Sequence, residues 1–114
     1  MRLIHPGLHR WLDFVTVVAF ALAPSVLSLT GLAATLAYVL ACVHLALTAL
    51  THFPGARVRL VPLSLHGVIE CVVGLGLLVL PWVLGWTGVA RMFYVAAGLV
   101  ILVVWGLSDY KKQL

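Results

Sequence analysis

Two histidine–carboxylate pairs are the residues of this chain best suited to chemistry. His9 precedes Asp13 by four positions, and His66 precedes Glu70 by the same interval. On a helix that spacing puts imidazole and carboxylate on one face, a turn apart. Should the two pairs meet, they make a two-histidine, two-carboxylate cluster able to bind a divalent metal or relay protons. The same residues also suit a structural task, because a carboxylate in a first helical turn meets the favourable end of the helix dipole. Capping and interhelical pairing come first among the expected roles, then proton or ion handling, then metal binding. No metal or other cofactor is required by this reading.

His44 lies deeper in an apolar run, with Ile101 at the matching place in the second half of the chain. It is expected to be a hydrogen-bonded interior histidine, with Asp13 as a partner. A b-type haem would need a second axial histidine at similar depth, and His9 and His66 lie nearer the helix ends. His5 and His52 are expected at the membrane interface. No GxSxG, HExxH, Walker or dinucleotide fingerprint is present, so an enzyme is not expected.

The elements that must position these residues follow from composition. The chain has 114 residues, 64% hydrophobic and only 9% charged, with mean hydropathy +1.20. A soluble domain is nearer 45–50% apolar and about 25% charged, so the surface is built for lipid rather than water. Four apolar stretches, Trp11–Leu29, Leu32–Leu50, Val68–Trp86 and Val89–Leu107, are about 19 residues each. At about 1.5 Å per residue each covers about 29 Å, one hydrocarbon thickness. Backbone in lipid must satisfy its own hydrogen bonds, so each stretch is expected to be helical. The expected class is an all-α membrane protein with four transmembrane helices.

The breaks between stretches are unequal. Thr30-Gly31 and Thr87-Gly88 leave room only for tight turns, whereas Thr51–Leu65, with Pro54, Arg57, Arg59 and Pro62, is a longer connector. Arg2, Arg10, Arg57, Arg59, Lys111 and Lys112 fall on one side of a four-span arrangement, and only Arg91 falls on the other. That bias predicts both termini in the cytoplasm. The net charge of +4 therefore points to a cytoplasmic membrane surface, not to nucleic acid. Cys42 and Cys71 lie in different apolar runs and form no CxxC. They read as small hydrophobes. No cleaved signal peptide is expected.

The halves align without a gap at an offset of 57 residues. His9 falls on His66, Asp13 on Glu70, Pro24 on Pro81, Thr30 on Thr87 and Gly31 on Gly88, a shared H-x3-[DE]-x10-P-x5-T-G. Apolar coincidences are cheap in so biased a chain, but an ordered series of polar and helix-breaking matches is not. The expected organisation is two tandem hairpins, residues 1–57 and 58–114, in one membrane domain, related as parallel repeats about an axis along the membrane normal. Pro24 and Pro81 are expected to bend their helices near the outer turn, and Gly31 and Gly88 to supply the unusual backbone angles there. Small residues shared at Ala19/Gly76, Ala41/Gly98 and Ala49/Gly106 are candidate points of close helix contact. Trp82, Trp86 and Phe93 on the outer side, with Trp11, Phe53 and Tyr110 on the inner side, read as aromatic belts.

Leu80-Pro81-Trp82-Val83-Leu84-Gly85-Trp86, followed by Thr87-Gly88, resembles the SPW repeat of small bacterial integral membrane proteins. In that family Ser-Pro-Trp ends a helix before a short turn. Here Leu80 stands in the serine position, and Ala23-Pro24-Ser25 is the corresponding segment of the first half. The resemblance covers roughly residues 65–107 and implies a two-hairpin fold in a bacterial cytoplasmic membrane; it carries no activity or site residue. The expected function is a small structural or accessory membrane protein, self-associating or a subunit of a larger membrane complex. The alternative is a small proton- or ion-coupled transporter using Asp13 and Glu70, and a haem or metal redox protein stands behind it.

Overall fold

A computed structural model describes residues 3–54 and 56–110. Arg2, Lys111 and Lys112, which enter the orientation argument, lie outside the described residues. The described residues form four helices: α1 (Pro6–Val26), α2 (Gly31–Leu50), α3 (Leu63–Val83) and α4 (Gly88–Leu107). Every boundary in the second pair follows its counterpart in the first by 57 residues.

Two of the apolar stretches misjudge the helix limits. α1 and α3 each begin five residues earlier and end three residues earlier than Trp11–Leu29 and Val68–Trp86. Hydropathy marks where a chain is apolar, while the helix start is set by local chemistry. His5 caps α1, its Nδ1 accepting from the Leu8 N–H at 3.3 Å, and Pro6 follows with its φ already suited to a first turn. Pro62 stands at the corresponding cap position of α3, in extended backbone and without a side-chain cap. As a result His9 and His66 stand at the fourth position of their helices, and Asp13 and Glu70 at the eighth.

Pro24 and Pro81 are buried in the last turns of α1 and α3. The Leu27 N–H donates to Ala23 O (2.8 Å) and the Leu29 N–H to Pro24 O (3.0 Å). In the other hairpin Leu84 donates to Leu80 O (2.9 Å) and Trp86 to Pro81 O (2.8 Å). Gly31 and Gly88 then open the returning helices at φ 55° and 61°, a region L side chains rarely enter. Thr30 and Thr87 hold extended backbone there and make no side-chain cap.

α1 packs along α2 and α3 along α4. α3 and α4 come close at Gly74 and Gly98: a Cβ on Gly98 would lie 2.8 Å from Gly74 O. Of the three small-residue pairs, only Ala41/Gly98 marks a helix contact. Ala41 is buried, but Ala19 and Ala49 face outward, and open space surrounds Gly76 and Gly106. Between the hairpins the core is Phe20, Ala33, Ala37, Leu77, Tyr94 and Ile101. Tyr94 reaches from α4 to donate its hydroxyl to Ala33 O on α2 at 2.6 Å. Phe93, expected in a belt, instead meets Phe20 edge-on inside this seam, ring centroids 5.7 Å apart.

Three helices, α2, α3 and α4, are long and apolar enough to cross a membrane. α1 matches them in length, but its first two turns hold His9, Arg10 and Asp13, which lower its hydropathy. The outer faces carry large apolar side chains such as Val18, Leu22, Val72, Val79, Leu99 and Val103, each more than half exposed. Apolar surface this extensive matches a lipid surround.

Candidate functional site

The end of the bundle away from the tight turns gathers the start of α1, the end of α2, the start of α3 and the segment after α4. Because α2 runs back along α1, a residue near the end of α2 faces a residue near the start of α1. The same holds for α4 and α3.

Here the two histidine–carboxylate pairs do meet. His9 Nε2 lies 3.2 Å from Asp13 Oδ2 and 3.0 Å from Glu70 Oε2. His66 Nε2 lies 2.9 Å from Asp13 Oδ2 and 3.3 Å from Glu70 Oε1. Each imidazole thus touches both carboxylates, one on its own helix and one on the other hairpin. His9, Asp13, His66 and Glu70 are all at most 3% exposed. Two of the chain's three acidic residues are spent on this one point.

His44 joins them. Its Nε2 lies 3.5 Å from Asp13 Oδ1, and its ring is 6.4 Å from that of His66. His44 stands beside Asp13 as expected but makes no hydrogen bond to it through Nε2, and the expectation that His9 and His66 lie too near the helix ends to stand beside His44 fails for His66. The earlier start of α3 carries His66 inward to its level. His5 and His52 stay outside the cluster, the first as the α1 cap and the second with its ring Nε2 2.6 Å from Arg59 O in the connector.

Four contributors were not singled out by sequence. Thr51 Oγ1 lies 2.8 Å from His66 Nδ1, and Ser108 Oγ lies 2.7 Å from His9 Nδ1. Both hydroxyls donate to the carbonyl four residues back, Thr51 to Leu47 O (2.6 Å) and Ser108 to Val104 O (2.5 Å). A hydroxyl has one hydrogen, so once that is committed the oxygen can only accept, and Nδ1 of each histidine is the donor. The remaining two, Phe53 and Tyr110, wall the cluster instead of forming the aromatic belt their positions suggest. Phe53 is fully buried, its ring 5.4 Å from His9 and 5.0 Å from His66, and Tyr110 stacks edge-on to His9 at 5.4 Å. The Tyr110 hydroxyl donates to Glu70 Oε2 at 2.8 Å. Burial, and then the Glu70 charge, push its phenol above the ordinary range, so it keeps the proton it donates. Thr51 with Ser108, and Phe53 with Tyr110, are 57 residues apart, and that offset is the signal that would have found them.

Backbone pairing closes the floor of the site. Ile4 N–H donates to Leu107 O and Asp109 N–H to Ile4 O, both at 2.9 Å. Val61 N–H to Leu50 O (2.9 Å) and His52 N–H to Val61 O (3.0 Å) form the matching pair in the connector.

Pro24, Thr30, Gly31, Pro81, Thr87 and Gly88 lie at the opposite end and shape the turns; none approaches the cluster. In comparisons with known proteins, no family model, curated protein or solved structure matches this chain.

Proposed function

We propose that this chain is a four-span membrane protein of two tandem hairpins, with its arginine-bearing connector in the cytoplasm, that binds a cation at the His9–Asp13–His66–Glu70 centre. The recurrence of helix limits, turn bonds and histidine–hydroxyl pairs at one offset supports the duplication. The likeness of Leu80–Trp86 to the SPW repeat supports a bacterial cytoplasmic membrane. α1 completes the fourth span with His9 and Asp13, at 1% and 2% exposure, facing protein, and Arg10, part-buried one turn from the helix start, reaching Pro54 O in the connector. Cysteines introduced one at a time at Ser28, Arg57 and Trp86, after Cys42 and Cys71 are replaced by alanine, are expected to label Ser28 and Trp86 from outside and Arg57 from within. Labelling of Ser28 and Arg57 from one side would refute the four-span arrangement.

The observation that carries the cation reading is the convergence of two carboxylates and two imidazole Nε2 atoms at one buried point. Ion pairs buried only for stability are poor value, since apolar residues of the same volume often hold a fold as well or better. An ionisable cluster inside a membrane is by default a place where charge is bound or moved. Calorimetric titration of purified protein with Na+, K+, Mg2+, Ca2+ and Zn2+ should find at least one cation bound once per chain. Asp13→Asn with Glu70→Gln should abolish that binding. If none of the five binds the intact chain, this reading is wrong.

An accessory role is a second reading, supported by an apolar cleft of about 220 Å³ between α1 and α4. Ala19, Ala96 and Ala97 line it beside Phe20 and Phe93, leaving a surface that another helix can approach closely. Self-association through this cleft should fall when Ala96 and Ala97 are both made leucine. An unchanged particle size in detergent for that variant would exclude the cleft as the contact.

A further inference from the structure

The cation reading above leaves the kind of cation open, and the chemistry of the four groups narrows it. This inference rests on that reading and names its ion. Both histidines have their ring orientation and tautomer fixed from behind. Thr51 and Ser108 spend their only hydroxyl hydrogens on carbonyl oxygens, so each takes a hydrogen bond from Nδ1–H of its histidine. A neutral imidazole in that tautomer presents a lone pair at Nε2.

Those Nε2 atoms point at carboxylates but do not bond to them. Carboxylate oxygens lie 2.9–3.3 Å away, yet neither His9 Nε2 nor His66 Nε2 makes an aligned hydrogen bond, and Asp13 Oδ2 accepts none. The carboxylates call for positive charge at the nitrogens; a proton on either Nε2 finds no aligned acceptor, whereas a metal ion shared by deprotonated Nε2 atoms and carboxylates satisfies all of them. The four distances are themselves informative. Ligands at about 2.0–2.1 Å from a tetrahedral centre are about 3.3–3.4 Å from one another. Asp13 Oδ2 stands 3.2 and 2.9 Å from the two Nε2 atoms, within a few tenths of an ångström of that edge, and Glu70 turns Oε2 to His9 at 3.0 Å and Oε1 to His66 at 3.3 Å. All four ligand atoms lie within 4.8 Å of one another.

Charge and donor type then select the ion. Two neutral imidazoles and two carboxylates, all at most 3% exposed, carry −2, which a divalent cation cancels. Na+ and K+ would leave net charge buried. Ca2+ takes 6–8 oxygen ligands, and Mg2+ keeps several waters in an octahedron, so neither fits two nitrogens and two oxygens in a closed site. Borderline first-row ions prefer this mixed set. Partners behind the ligands complete the pattern expected of such a centre: hydroxyls on both Nδ1 atoms, the Tyr110 hydroxyl on Glu70, and His44 beside Asp13.

We propose that His9, Asp13, His66 and Glu70 are the four ligands of one buried tetrahedral divalent metal ion of the Zn2+ class, with Thr51 and Ser108 as positioning residues that hold the two imidazoles.

The test uses the full chain in detergent, freed of affinity tag, treated with chelator and checked for helicity and particle size. Zn2+ titration followed by elemental analysis after desalting should give one ion per chain. Co2+ in its place should give the visible absorption of a tetrahedral complex. His9→Gln and His66→Gln should each weaken Zn2+ binding at least tenfold, and the Thr51→Val, Ser108→Ala double variant by roughly 10–100-fold with all four ligands intact. Should a ligand variant fail to fold, the Thr51→Val, Ser108→Ala chain and the Co2+ spectrum of the unaltered protein still decide the matter. A folded chain that takes up neither Zn2+ nor Co2+ overturns the proposal. So does Zn2+ binding that persists in His9→Gln, His66→Gln, since the metal would then sit elsewhere. If Zn2+ and Co2+ fail while another cation binds and is lost with Asp13→Asn, Glu70→Gln, this proposal falls and the cation reading survives. If no cation binds, both fall.

Discussion

In the chelator-treated protein, where protons on the imidazoles take over the balancing charge of the metal, replacing Asp13 with alanine is expected to destabilise by about 3–5 kcal/mol, the cost of removing one partner from a buried charge-bearing cluster. Asp13 stands within 3.5 Å of three imidazoles, so its loss strips His9, His44 and His66 of a partner at once. Glu70 still reaches His9 and His66, but nothing described replaces Asp13 beside His44. The lost side chain also leaves a void at the junction of the two hairpins. Asp13→Asn keeps the volume and one acceptor oxygen and should lose distinctly less. Unfolding in detergent, followed by helicity across a denaturant titration, measures both. A loss below about 1 kcal/mol for Asp13→Ala, the range of an exposed pair, would mean that the carboxylate is solvated rather than enclosed.

Gly98→Ala is the second large effect, an expected loss of about 3 kcal/mol from overpacking. A Cβ there would lie 2.8 Å from Gly74 O and 3.1 Å from Leu78 N, both backbone atoms that cannot rotate aside. α3 and α4 would have to separate, which loosens the hairpin that carries His66 and Glu70. Gly74→Ala makes an equally short contact, 2.7 Å, but to Leu102 Cγ, a side-chain atom that can move. It should cost nearer 1 kcal/mol, since repacking one side chain is milder than displacing a helix. The order of the two losses is the test, read from unfolding midpoints in the same detergent. Equal losses, or a larger one for Gly74→Ala, would contradict the close backbone contact.

The two effects reach the site by different routes. Asp13 acts on the cluster directly, whereas Gly98 sets the helix spacing that lets α4 deliver Ser108 and Tyr110 to it. Both follow from the scarcity of hydrophobic drive between helices in lipid, where close backbone approach and buried polar contacts must do the holding.

Much of this was legible in the order of residues. The apolar runs named four helices, and the breakers Thr30-Gly31 and Thr87-Gly88 located both tight turns, because a helix period and a positive φ are local properties. The i,i+4 spacing of His9/Asp13 and His66/Glu70 correctly placed each pair on one helix face. Hydropathy alone misplaced the starts of α1 and α3, since their first turns are polar and are fixed by His5, Pro6 and Pro62 rather than by apolarity. That error made His66 look too shallow to neighbour His44. It also let Phe53 and Tyr110 pass as belt residues when they wall the centre.

The chain's composition and spacing by themselves determined its helices, its turns and which histidine shares a face with which carboxylate, since each of these depends on residues within a few turns of one another. Only the tertiary structure decided that His9 touches Glu70, that His66 touches Asp13, and that Thr51 and Ser108 stand behind the imidazoles. Those contacts join residues as far as 99 positions apart. They exist because two hairpins pack with their polar ends together, a matter of shape and desolvation across the whole bundle that no local pattern encodes.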